Sequence, residues 1–496
     1  MRHLPHELYS AAQTREIDRT VIEQHHIPGA RLMANAGASA LALLKQLWPQ
    51  ARKLVVVCGG GNNGGDGYEL ARQALLEDYQ VSLFELGKAD KMSDETRAAR
   101  EALQALGDHI QPFTGSLPGA DVLVDGLFGT GLDRQVAGLY ADAIAALNQQ
   151  TDTPVLSLDI ASGIDANTGN KMGVAVQASA TLSFIGLNTG LFTGDGPAYS
   201  GEVYFESLQV PASVYQSFTP TARRIDLDDF IALLGPRQRN AHKGHFGHLL
   251  MIGGDLGMSG AVRIAAEAGA RVGAGLNSVA TRSAHSTILN LARPELMSHG
   301  VEDADALKPL LKKASALVLG PGLGQSRWSQ RLFDKALDSD LPIVLDADGL
   351  NLLSHNPHQR DNWVLTPHPG EAARLLGCST AEVQTDRLRA VNAIQTRYGG
   401  VVVLKGAGTL IADGQPLIHL SDRGNPGMAS GGMGDALSGI IGGLLAQHFS
   451  PIQAACAGVM LHGMAADKAA EQDGERGMLA MDLMPHLRQL VNLRYE

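Results

Sequence analysis

The sequence predicts two consecutive α/β domains, each organised on a mostly parallel sheet. Three observations carry this. Short runs of Val, Ile and Leu alternate with segments of helical period along most of the 496 residues. Most of those runs end in Gly, Asp or Ser, as buried parallel strands do when their C-terminal ends open into functional loops. The rhythm also breaks once, between about 205 and 240, where Pro211, Pro220 and Pro236 interrupt a mixed stretch. A boundary near 220 gives domains of 1–220 and 221–496; at roughly 100–200 residues per domain two to four are expected, and two large α/β domains fit.

In the first half the strand candidates are LVVVCGGG (54–61), VSLFEL (81–86), VLVDGLFGTG (122–131) and VLSLDIASG (155–163). Helix candidates lie between them at YELARQALLEDY (68–79) and TRAAREALQALG (96–107). The second half repeats the pattern with GHLLMIGGDLGMSGA (247–261), ALVLGPGLG (316–324), PIVLDADGLN (342–351), WVLTPHPGE (363–371) and VVVLKGAGTLIAD (401–413).

Composition narrows the function classes. Apolar residues make up 44% and glycine is abundant at 58 residues, while aromatics are 5%. Such a chain can build large cores and bind ligands through backbone. The formal charge is −11, and no basic run or basic–aromatic stripe appears, so a nucleic-acid surface is not expected. A phosphorylated ligand must then be held by local donors and not by a global positive field. Cys58, Cys378 and Cys456 are the only cysteines and lack CxxC spacing, which argues against a disulfide framework or a zinc site. No apolar h-region opens the chain and no run reaches membrane-span length. A cytoplasmic protein is expected.

Four motifs carry chemistry. CGGGNNGGDGYELAR (58–72) is a glycine-rich loop between a strand and a helix, where α/β folds bind phosphates. It is neither a dinucleotide fingerprint nor a P-loop; a plain turn capped by Asp66 is the alternative. Asp125 and Ser162 stand at the ends of the next strands. With the amide of Asn63 they would form a hard-oxygen site suited to a weakly or hard-charged cation. Lys405 ends a strand ahead of a Gly-Ala-Gly-Thr turn, which suits nucleotide phosphates or a simple hairpin. GNPGMASGGMGDALSG (424–439) sets one carboxylate, Asp435, behind a run of glycines at a helix start. Either Asp435 caps the helix, or it is a base beside an anion held by glycine amides.

The last two motifs together resemble the ribokinase-like fold, in which the Asp of Gly-x-Gly-Asp deprotonates a hydroxyl and the helix N-terminus holds the transferring phosphoryl group. The resemblance goes further. HKGHFGHLLMIGG, GMSGA, GPGLG, TPHPGE, KGAGT and GNPGMASGGMGD in this order are similar to an ADP-dependent NAD(P)HX dehydratase. GGGNNGGDG, DGLFGTGL and DIASG are similar to an NAD(P)HX epimerase domain. Fused in this order they resemble the family of bifunctional NAD(P)H-hydrate repair enzymes. His368, where many kinases of the wider class carry Asn, argues against a sugar or vitamin kinase.

The resemblance implies an N-terminal Rossmann-like three-layer sandwich and a C-terminal ribokinase-like α/β domain. It implies that Asn62, Asn63, Gly64, Gly65 and Asp66, the loop Gly129, Thr130, Gly131, Leu132, Asp133, Arg134 and Gln135, and Asp159 bind NAD(P)HX in the first domain. Asn63, Asp125 and Ser162 would bind potassium. In the second domain Ala261, Gly322, His368 and Asp435 would line the hydrate pocket. Lys405, Gly406, Ala407, Gly408, Thr409 and Gly434 would hold the AMP part of ADP. Asp435 is the expected catalytic base and Asp159 the expected acid/base of the epimerase. Magnesium is expected with ADP, and a homo-oligomer is expected. Two other classes remain open at this stage: a small-molecule kinase that stops at a phosphorylated alcohol, and a first domain that binds without catalysis.

Overall fold

The computed structural model describes residues 4–87, 92–291 and 293–492. The chain separates into two compact units, Met1–Arg223 and Arg224–Glu496.

The first unit holds a seven-stranded parallel sheet: β1 Lys53–Cys58, β2 Gln80–Glu85, β3 Ile110–Pro112, β4 Val122–Gly126, β5 Val155–Leu158, β6 Ala180–Phe184 and β7 Glu202–Glu206. Their order is β3-β2-β1-β4-β5-β6-β7. The direction of winding reverses between β1 and β4, and ligands of open α/β sheets bind at such a switch point. The strands read as continuous apolar runs because both faces are covered. Leu54, Val56 and Cys58 enter a core with helices Gly29–Leu47 and Asn62–Leu76. Val55 and Val57 enter a second core with helix Leu139–Asn148. Period-2 alternation thus feeds two helical layers instead of one layer and solvent.

The second unit contains β8 His248–Ile252, β9 Leu276–Thr281, β10 Met297–Gly300, β11 Ala316–Leu319, β12 Ile343–Leu345, β13 Trp363–Leu365, β14 Val401–Leu404, β15 Thr409–Ala412 and β16 Ile418–Ser421. These follow the order β16-β15-β14-β13-β12-β11-β8-β9-β10. From β14 to β10 the pairs are parallel; β14–β15 and β15–β16 are antiparallel. Lys405 therefore stands at the mouth of a hairpin that is also the end of a parallel strand, so the two sequence readings of this turn coexist.

One helix positions the glycine-rich motif. Met433–Ala446 begins at Gly432, in the left-handed region at φ 92°. It is buried along nearly its whole length against helices Ser259–Arg271 and Pro451–Asp473. Gly439 allows this: any Cβ there would run into the Ala265 carbonyl of the neighbouring helix. The small residues that flank Asp435 are a packing requirement as well as a chemical one.

Candidate functional sites

In the first unit the glycine loop after β1 runs straight into helix Asn62–Leu76. Gly64 cannot be replaced without moving backbone, because a Cβ would fall on the Gly59 carbonyl. The close fold of the loop buries Asn63, which is 7% exposed. Its side-chain oxygen and nitrogen both lack a protein partner. A buried amide without protein partners is costly, and in a native protein it calls for a water, ion or ligand to satisfy it.

Asp125, near the end of β4, is fully buried. It accepts hydrogen bonds from Ser157 Oγ at 2.8 Å, Ser162 Oγ at 2.6 Å, and the amides of Ser162 at 2.9 Å and Leu127 at 3.2 Å. Burial raises its pKa and these donors pull it back. The Ser162 hydroxyl also receives the Phe128 amide at 2.8 Å, which ties the end of β4 to the turn after β5.

Asp159 follows β5 with φ 65°, an uncommon conformation for a non-glycine residue. Its carboxylate accepts the Thr130 amide at 2.9 Å. It also lies where a Cβ on Gly129 would reach it at 2.5 Å, with Asn63 Cβ at 3.4 Å from the same point. Asn63, Gly129, Thr130 and Asp159 are thus brought together. Burial lifts the pKa of Asp159 to about 6, against the hydrogen bonds of Thr130. Asp66 is held well above the usual carboxylate range by burial, then by Asp159 and Asp18. Asn62 faces outward and accepts Ser93 Oγ at 2.8 Å. Gly131, Asp133, Arg134 and Gln135 are exposed, while Leu132 packs against the apolar layer under the loop. Among the described residues no hydrogen bond links Asp133, Arg134 or Gln135 to Asp159.

In the second unit the site gathers at the ends of β8 and β11–β14. Lys405 Nζ donates to Asp346 Oδ1 at 2.8 Å and lies 3.7 Å from Glu371 Oε2. Ser438, one turn into the helix of Asp435, donates to Asp346 Oδ2 at 2.7 Å. A Cβ on Gly434 would come within 3.2 Å of Lys405 Nζ, so Gly434 and Lys405 face one space. Burial pulls the Lys405 ammonium down, but Asp346 and Glu371 hold it above its usual value. Burial, helped by Asp346 and opposed by Lys405, lifts Asp435 to about 7. A carboxyl tuned there is half ionised at neutral pH, which suits a general base.

His368 caps helix Pro369–Leu376. Its Nδ1 accepts the Gly370 amide at 3.0 Å, and Glu371 reciprocates on the His368 amide at 2.8 Å. Burial and the nearby Lys405 lower its pKa, so it stands neutral at pH 7. Gly322 and Ala261 meet across the switch point between β8 and β11: a Cβ on Gly322 would touch that of Ala261 at 3.2 Å. The turn Lys405–Thr409 is braced from below by Arg387.

Sequence reasoning gave Asp346, Ser438 and Arg387 no part, and Glu371 no role beyond its spacing from His368. Asp346 carried a usable signal: it ends the apolar run of β12, as Asp125 ends that of β4. Arg387 carried none, since it opens a helix remote in sequence from the turn that it supports.

Comparisons with known proteins show the family of each half of the chain. Residues 249–489 match the family model described as NAD(P)H-hydrate dehydratase. Residues 29–190 match the model described as YjeF-related protein N-terminus. The chain is 50% identical over 486 residues to the bifunctional NAD(P)H-hydrate repair enzyme Nnr of Coxiella burnetii, covering 98% of this chain and 99% of that one. It is 43% identical over 490 residues to the protein of the same name from Escherichia coli, covering 99% and 95%. Among solved structures, a ribokinase-like superfamily protein from Enterococcus faecalis aligns with a TM-score of 0.51 at 29% identity, over 55% of this chain and 96% of that one. With both family models in this order and such identity along its whole length, the chain belongs to the family of bifunctional NAD(P)H-hydrate repair enzymes.

Proposed function

We propose that the chain repairs hydrated NADH and NADPH, with one reaction in each unit, and that the residues named above carry the two reactions. The carrying observation is Asp435: a carboxyl held near pKa 7 in the first turn of a helix, beside Gly434 and the Lys405 ammonium. Hydroxide is a poor leaving group from C6 of the hydrated ring. Asp435 takes the proton of that hydroxyl, and the oxygen attacks the β-phosphorus of ADP. The bond to AMP breaks and AMP leaves. The ring nitrogen lone pair then expels phosphate from C6, and loss of a proton from C5 restores the double bond. Gly434 amide and Lys405 stabilise the transferring phosphoryl charge. Gly406, Ala407, Gly408 and Thr409 hold AMP; Ala261, Gly322 and His368 hold the hydrated nucleotide. Magnesium would accompany the ADP phosphates. Asp346 and Glu371 are the carboxylates beside Lys405, and Mg²⁺ needs only one or two alongside phosphate and water.

In the first unit Asp159 is the acid/base that interconverts the two C6 epimers, so that no hydrate is stranded. Asn62–Asp66 and Gly129–Gln135 bind the nucleotide around it. The residues there fit potassium. The orphaned Asn63 Oδ1 is a ready ligand. The four hydrogen bonds to Asp125 fill its lone pairs, but Ser162 Oγ can turn its proton to Phe128 O at 3.1 Å and release one carboxylate oxygen. A bound potassium ion would fix the loop and add positive potential beside the nucleotide. Among the described residues no helix is long and apolar enough to cross a membrane, and the cytoplasm is the setting this reading takes.

The test incubates the protein with both NADHX epimers and ADP, with ATP in parallel, and follows reduced-nicotinamide absorbance and free phosphate. Full NADH recovery with stoichiometric phosphate supports both reactions. Recovery that stops at the share of one epimer leaves only the dehydratase. Consumption of ADP without release of phosphate would mean a kinase.

A further inference from the structure

We infer that Arg387 is a positioning residue for the ADP site: a buried guanidinium that turns the Lys405–Thr409 loop toward the nucleotide. The inference rests on the reading that this loop holds the AMP part of ADP.

Arg387 is 2% exposed and is among the largest fully buried side chains. Burial lowers its pKa to about 10, so it stays charged at neutral pH. Its fork spreads over the inner side of the loop. Nη2 donates to the carbonyls of Gly408 at 3.2 Å and Leu404 at 3.4 Å. The Lys405 carbonyl receives Nη1 at 3.4 Å and Nη2 at 3.5 Å. Gln384 Oε1 receives Nη1 at 3.0 Å. The loop contacts are long, but they come from a charged donor in a low-dielectric setting and all act on one short turn.

Peptide geometry makes the consequence specific. In a trans peptide the C=O and the next N–H point in opposite directions. Drawing the Lys405 carbonyl inward therefore turns the Gly406 N–H outward, to the exposed side of the loop. Gly406 has φ 143°, and a Cβ there would lie 2.6 Å from Arg387 Nη1. Glycine is thus required for the backbone to rest on the guanidinium. The charge adds to the effect. It sits behind an amide face that would meet a diphosphate, in a protein whose net charge of −11 offers anions no general attraction. Lys405 supplies a cation at the transferring phosphoryl group; Arg387 supplies orientation and potential behind the rest of the nucleotide.

The test compares wild type with Arg387→Met, Arg387→Lys and Gly408→Val. Readouts are KM for ADP, KM for NADHX, kcat, melting temperature, and epimerisation by the first unit as an internal control. Arg387→Met should raise KM for ADP about tenfold or more, as loss of a charged hydrogen-bonding group does, with KM for NADHX and epimerisation unchanged. Arg387→Lys should recover part of the loss, since an ammonium keeps the charge but cannot span three carbonyls. If Arg387→Met yields no folded protein, Arg387→Lys alone decides, by a smaller but selective rise in KM for ADP. An unchanged KM for ADP in a folded Arg387 variant overturns the inference. So does a lowered melting temperature with kcat and both KM values worsened together, which would mark a purely structural arginine. Gly408→Val, at φ 64°, obstructs the loop itself. If it leaves KM for ADP unchanged, the nucleotide does not lie there and the underlying reading falls. If it raises KM for ADP while the Arg387 variants do not, only the role of Arg387 falls.

Discussion

At the scale of single residues, Asp435 shows a conflict between stability and chemistry. A helix N-terminus favours a carboxylate, yet burial and Asp346 outweigh it and lift Asp435 to about 7. The folded state therefore holds this proton more tightly than the unfolded chain does. The associated stability is complete below the unfolded carboxyl range and is lost as pH rises through about 7. Asp435→Asn removes that loss. Its melting temperature should exceed wild type by more at pH 8 than at pH 4, while dehydration falls at least 100-fold. Equal melting curves at both pH values would mean that the carboxyl is not strained by burial. Asp159 follows the same sign in a milder form: with a pKa of about 6, epimerisation should rise with pH through about 6 and then level off. Asp159→Asn keeps the positive φ at little cost, because Asn tolerates it. Epimerisation should then disappear while the melting temperature stays at the wild-type value at pH 4 and exceeds it slightly at pH 8. These two carboxylates were legible in the sequence because each sits in a glycine-rich turn at a strand or helix end. Arg387 was not, and Asp346 showed only its strand-end position, because their roles arise from contacts with residues 18 and 59 positions away.

At the scale of elements, apolar runs located most strands that carry site residues. The runs at 54–61, 122–131 and 155–163 became β1, β4 and β5; Asp159 and Ser162 stand in the loop after β5, Asp125 lies within β4, and Asn63 lies in the helix after β1. What escaped were β3, β6 and β7, then β9, β10 and β16. Most of these lie toward sheet edges, are short, or mix polar residues into the run, as in LNSVAT and IHLS. Their identity depends on a neighbouring strand rather than on their own composition. The helix expected from 68 begins six residues earlier, at Asn62, because the glycines of the loop are absorbed into its first turn instead of preceding it. That placement gives a test. Gly64→Ala would be favoured by helix propensity alone, but its Cβ would meet the Gly59 carbonyl. The variant should lose stability by about 1–3 kcal/mol and lose epimerisation, while any surviving folded fraction dehydrates at the wild-type rate. A stabilised Gly64→Ala would show that the loop relaxes freely and that Asn63 is not fixed by it.

At the scale of the whole molecule, the sites proposed for the two units are built from separate sets of residues. The residues proposed for epimerisation run from Asn62 to Ser162 and those proposed for dehydration from Ala261 to Ser438. Each site also solves its electrostatics locally: Asn63, Asp125 and Ser162 in one unit, Lys405 with Asp346 and Glu371 in the other. Fusion is then a matter of supply and not of shared chemistry. On this reading, the epimer that the dehydratase cannot use is returned to it by the other unit as a free small molecule. This predicts complementation in trans. Asp159→Asn alone should stop at the fraction of NADHX present as the usable epimer, apart from slow spontaneous exchange. Asp435→Asn alone should give no NADH. An equimolar mixture of the two should convert all of the substrate, at a rate that rises with the concentration of either protein. Following NADH absorbance to completion decides it. A mixture that stalls where Asp159→Asn stalls would mean that the substrate must pass between sites of one chain, and the units could no longer be treated as chemically independent.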